Sequence, residues 1–109
     1  MPRPRYLAFE VQAAAPVSRR AFANALKGRA RQEGWSDGDG PHLTRYAFPH
    51  GIVRVEHTRQ AAARDLLPRV TWVMEGVSRV DLAVRTLSAS GTLKALTGRL
   101  GILTERADA

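Results

Sequence analysis

Between residues 6 and 12 apolar and polar side chains alternate: Leu7, Phe9 and Val11 fall on one side of an extended chain, Tyr6, Ala8 and Glu10 on the other. A period of two describes a strand with one covered face. Leu43 to Phe48 and Ile52 to Glu56 are two further strand-like runs, and Pro49-His50-Gly51 between them is short enough to make a hairpin. Val80 to Thr86 is a fourth, with Val80, Leu82 and Val84 on its apolar side. A sheet built from such strands needs a cover on one side only.

Helically spaced segments supply that cover. Pro16 ends the first strand, Ser18 stands where a helix cap belongs, and Val17 is placed to staple onto Phe22. Phe22, Ala25 and Leu26 form the apolar stripe of a helix running to about Gln32, with Arg20, Asn24, Lys27 and Arg31 on its opposite side. "GWSDGDGPH" is a turn-rich loop, so the next element begins near His42. Thr58 is placed to cap a second helix through "RQAAARDLLPRVTWVME", which Pro68, lacking an amide to donate, kinks or splits. This order favours an α+β, ferredoxin-like (RRM-like) two-layer sandwich: a four-stranded antiparallel sheet with two helices on one face, plus a C-terminal helix from Leu93, Leu96 and Leu100. The 109 residues read as a single domain, 1–109, with short mobile tails at about 1–4 and 104–109.

Charge narrows the function. Seventeen basic residues, fifteen of them arginine, stand against ten acidic ones, a net +7 that favours a polyanionic partner. There is no cysteine, which excludes disulfides, thiolate zinc sites and cysteine nucleophiles. "MPRPRYLAFEV" lacks the apolar core of a signal peptide and no run approaches a bilayer span, so a cytoplasmic protein without a membrane partner is expected. His42, His50 and His57 have no chelating spacing, and structural or solvent roles are expected for them. Glu10 and Glu56 would face each other across adjacent strands among arginines, where ion pairing is the economical explanation. No phosphate-binding loop, nucleophile elbow or GxGxxG motif occurs. The helix-free sheet face is expected to carry Tyr6, Ala8, Ile52, Arg54, Ala83 and Arg85. With one aromatic among them, RNA contact there should be to phosphates, or the face should be covered by the third helix or another protein.

The junction "VRTLSASGTLKAL" at 84 to 96 carries more hydroxyls than one helix cap needs. Ser90 can cap the following helix, and Ser90, Gly91 and Thr92 with Lys94 behind them can equally receive a phosphate. This segment, with "RYLAFEV" at 5 to 11 and "GIVRVEH" at 51 to 57, resembles the archaeal and eukaryotic ribonuclease P protein component 2 family in matching order across nearly the whole chain. The departures are Val55 after the GIVR run, where family members often carry cysteine or arginine, and Pro68 in the second helix.

The resemblance implies a subunit of the ribonucleoprotein endoribonuclease that removes the 5′ leader from precursor tRNA. Catalysis there lies in the RNA, whose bound Mg2+ activates the attacking water; the protein binds no cofactor, and no catalytic residue is expected in it. It stabilises the catalytic RNA, meets precursor tRNA indirectly and pairs with a barrel-shaped protein subunit, with a homodimer inside a heterotetramer as a further expectation. The expected RNA-binding residues are Arg3, Arg5, Arg19, Arg20, Lys27, Arg31, Arg54, Ser90, Gly91, Thr92 and Lys94. Two rivals share the topology. An acylphosphatase-like enzyme needs a phosphate cradle after the first strand, where "QAAAPVSRR" supplies arginines but no glycines; a small-molecule regulatory module needs a pocket and no basic surplus.

Overall fold

The computed structural model describes residues 3–36, 38 and 40–94. β1 (Pro4–Ala13) keeps the alternation read from its sequence, burying Leu7, Phe9 and Val11 on one side. It starts earlier than the expected mobile segment allows, because the Arg3 carbonyl accepts a bond from the His57 amide at 2.8 Å. The Ser18 hydroxyl caps α1 (Arg19–Gln32), accepting from the Ala21 amide at 3.1 Å. Gly34 ends that helix at φ +90°, a backbone conformation that favours glycine. Its amide donates to the Arg31 carbonyl at 3.2 Å and the Trp35 amide to the Ala30 carbonyl at 3.0 Å, the paired bonds of a Schellman ending that turns Trp35 into the core.

β2 (His42–Ala47) and β3 (His50–Glu56) are joined through Phe48-Pro49, whose peptide bond is cis. His50 and Gly51, expected in the turn, are therefore strand residues, and Gly51 lies opposite Phe9. A 3-10 turn (His57–Arg59) leads into α2 (Gln60–Leu66), whose start has no side-chain cap, so Thr58 does not play the role expected of it. The expected long second helix ends here. Pro68 sits in a single 3-10 turn (Leu67–Arg69), after which Val70 is extended and the chain forms β4 (Trp72–Glu75). Gly76, at φ +63°, and Val77 make the two-residue turn into β5 (Ser78–Ser90), longer at both ends than the expected strand.

Among the described residues five strands form an antiparallel sheet in the order β2-β3-β1-β5-β4, where four were expected. Without β4, the order is the ferredoxin-like one. Leu87 is the extra residue of a bulge in β5, since Thr86 lies opposite Phe9 and Ser88 opposite Ala8. Both helices cover one face. Phe9 stacks on Phe22 with ring centres 5.0 Å apart and Phe22 on Tyr46 at 5.7 Å, within a core that includes Val17, Leu26, Val53, Leu66, Val73 and Val84. Leu93 and Lys94 are helical; the rest of the expected C-terminal helix, with Leu96, Leu100 and the 104–109 tail, lies outside the described residues.

Candidate nucleic-acid interface

α1 presents Arg19, Lys27 and Arg31 toward edge strand β2. Lying within about a third of the helix circumference, they line a groove of about 490 Å³ whose opposite wall includes His42 and Leu43. One Arg19 Nη donates to the Leu43 carbonyl at 3.0 Å, which fixes that guanidinium at the groove mouth. The floor is apolar: Leu26, Ala30 and Trp35. A second depression, also about 490 Å³, lies at the end of β3 and is lined by Arg54, Glu56 and Arg59. His42, Gly38 and Gly40 border both, so the two run together around the β2 edge. Five permanent cations and one histidine thus share a band in which Glu56 is the one acidic side chain among the described lining residues. Its one aromatic, Trp35, is only 8% exposed and lies under the Arg59 guanidinium, whose carbon is 4.0 Å from the ring centre. The band can neutralise phosphates; its indole is covered, which leaves the exposed His42 imidazole as the one ring a base can meet among the described lining residues.

Register extends the band onto the helix-free face. His42 pairs with Arg54, Arg54 with Tyr6 and Tyr6 with Ser90, one row across four strands. At its end the Ser90 hydroxyl accepts from the Thr92 amide at 3.2 Å, a turn ahead of the helical residues Leu93 and Lys94 and not the first-turn cap anticipated there, and a guanidinium nitrogen of Arg5 lies against Gly91. Of the expected RNA-binding residues, Arg19, Lys27, Arg31 and Arg54 thus line the band. Ser90, Gly91, Thr92 and Arg5 gather at the end of the row, with Lys94 two residues beyond Thr92. Arg20 is exposed on α1 outside the groove lining, and the Arg3 backbone ties β1 to His57. Arg59 and His42 complete the band without having been named among the RNA-binding residues; only the total charge hinted at Arg59, because its place depends on where α2 starts.

The centre of the helix-free face is closed. Ala8 and Ile52 are wholly buried, with Tyr6, Ala47 and Leu93 packed on them, so the start of the C-terminal helix covers part of the face. Glu10 and Glu56 do not meet, since Glu56 pairs in register with Pro4 at the other end of the strand. Glu10 instead accepts from Arg85 on adjacent β5 at 2.8 Å, the strand-to-strand pairing with an arginine anticipated for it, and lies 3.8 Å from His50 Nε2. β4 also adds a second aromatic to this face, Trp72.

An acylphosphatase-like anion site at the α1 N-terminus finds that position filled. The Glu75 carboxylate accepts from the Ser18 amide and, at 3.2 Å, from its hydroxyl. Burial and then the Glu75 charge push the nearby Tyr46 phenol above its ordinary pKa; it donates to the Val17 carbonyl at 2.7 Å. Among the described residues no group of three His, Cys, Asp or Glu is placed to hold a metal ion, and no helix is long and apolar enough to cross a membrane.

Fold and surface together define a ferredoxin-like α+β protein with an added edge strand and a basic band around the opposite edge. Among solved structures it is similar to a chain of yeast ribonuclease MRP determined by cryo-electron microscopy, with a TM-score of 0.64 and 13% identity over 97% of this chain and 93% of that one. The likeness is one of fold. No protein-family model and no curated protein matches the sequence.

Proposed function

We propose that the protein is an RNA-binding subunit of a ribonucleoprotein ribonuclease of the ribonuclease P and ribonuclease MRP type, acting on precursor tRNA through a catalytic RNA. The observation that carries the reading is the band of Arg19, Lys27, Arg31, Arg54 and Arg59 around the β2 edge, on a fold shared with a chain of yeast ribonuclease MRP. Phosphate neutralisation of this kind suits a protein that holds a large folded RNA together against its own charge. Ser90, Gly91, Thr92, Lys94 and Arg5 extend the contact along the strand row, and Arg3 and Arg20 add flanking charge. In this reading Mg2+ and bond cleavage belong to the RNA, a barrel-shaped protein is the neighbouring subunit, and the assembly is cytoplasmic.

Reconstitution tests it. The purified chain alone should leave precursor tRNA intact, and adding it to its cognate RNA and the other subunits should raise 5′-leader removal. Metal-dependent cleavage by the chain alone after nuclease treatment and repurification would overturn the reading, as would a holoenzyme indifferent to its presence.

A further inference from the structure

The β4 edge carries a ring that the basic band does not use. Val73 faces the helix-side core, so Trp72 and Met74 stand on the opposite side of the strand, 44% and 45% exposed. Trp72 is nevertheless held. Arg79 donates through Nε to Asp81 at 2.9 Å, and its guanidinium carbon lies 4.9 Å from the indole centre. Asp81 pairs with Arg79, and Arg79 lies over the ring, a contact that favours one orientation of the indole.

Arg79 lies over this ring, and three further arginines stand on the neighbouring surfaces, against three acids. Arg79 and Arg85 stand on the same sheet face, ion-paired with Asp81 and Glu10 but 61% and 65% exposed. On the helix side a groove of about 310 Å³ that Trp72 helps to line also holds Arg29 and Arg69, which share Glu33. Asn24, Gln32 and Thr71 line it too, with amide and hydroxyl groups suited to a base edge. An exposed indole with the Arg79 guanidinium over it, on a chain of net charge +7, fits a nucleotide better than an apolar protein surface.

We propose that Trp72 is a stacking platform for an unpaired base of RNA, with Arg69 and Arg79 taking the flanking phosphates. The proposal rests on the RNA-binding reading but concerns a surface separate from the band.

Titrating the intact protein with an oligouridylate of about ten nucleotides, and with a blunt RNA hairpin of similar charge, tests it. Tryptophan emission should be quenched by the oligouridylate more strongly in wild type than in Trp72→Phe, whose remaining indole is Trp35, buried under Arg59. Trp72→Ala should weaken oligouridylate binding at least about fivefold and leave the hairpin affinity unchanged, while Trp72→Phe recovers most of the loss. Equal oligouridylate affinity in wild type and Trp72→Ala, or quenching as strong in Trp72→Phe as in wild type, would overturn the proposal and leave the edge to a protein contact. If wild type binds RNA but fails these tests, only the platform falls; if it binds neither RNA, the RNA-binding reading falls with it.

Discussion

Gly51 shows how far one residue is fixed by a neighbour distant in sequence. A β-carbon there would sit 2.9 Å from both Cε atoms of Phe9 and closer still to Cζ. Phe9 is wholly buried and backed by Phe22 at 5.0 Å, so its ring has little room to yield. Gly51→Ala should therefore cost about 1–3 kcal/mol, read by urea denaturation, although it adds one methyl group. Phe9→Leu makes room and should recover part of that loss in the double variant, a coupling expected only if the two groups collide. Additive costs would place the strain elsewhere. The sequence showed Phe9 as a core residue through its alternation, yet it placed Gly51 in a turn. Pairing register is a tertiary property, and the position of the β2–β3 connection two residues earlier decides it.

At the level of elements, β1, α1 and the β2–β3 pair were legible, and β4 was not. Ala63, Leu66, Leu67, Val70 and Val73 follow helical spacing, and all are buried, although the last two lie beyond the helix. Short apolar runs satisfy both periods. Pro68, the β-branched and aromatic run Val70-Thr71-Trp72-Val73, and Gly76 were the signals for a stop, a strand and a turn. The added strand also secures α1, because Glu75 places a carboxylate on the Ser18 amide and hydroxyl at the positive end of the helix. Glu75→Gln keeps the shape and removes the charge. It should lower stability by about 1 kcal/mol. It should also bring the Tyr46 phenol back toward its ordinary pKa, because Glu75 is the second cause of its upward shift after burial. Ultraviolet titration of the phenols and chemical denaturation read the two effects; if neither moves, the carboxylate does not anchor the helix.

Across the whole molecule, the acids that form ion pairs among the described residues lie away from the band, which keeps only Glu56. Glu10 pairs with Arg85, Glu33 with Arg29 and Arg69, and Asp81 with Arg79, while Arg19, Lys27, Arg31, Arg54 and Arg59 line the β2 edge. The surplus was legible as a sum, but its location was not. Arg19, Lys27 and Arg31 come from one helix face, whereas Arg54, Arg59 and His42 join them only because β2 and β3 end beside it. If RNA phosphates lie along this band, the logarithm of the binding constant should fall linearly with the logarithm of salt concentration, at about 0.9 per phosphate neutralised on a duplex. The triple variant Arg19→Ala, Lys27→Ala, Arg31→Ala should then flatten that slope by two to three contacts, about 2–3 units. Its melting should be little changed, since all three side chains are exposed. Trp72→Ala provides the contrast, because stacking releases no counterions: it should shift the line for single-stranded RNA downward and leave its slope intact. A triple variant whose slope matches wild type would move the RNA off the β2 edge, whatever its absolute affinity.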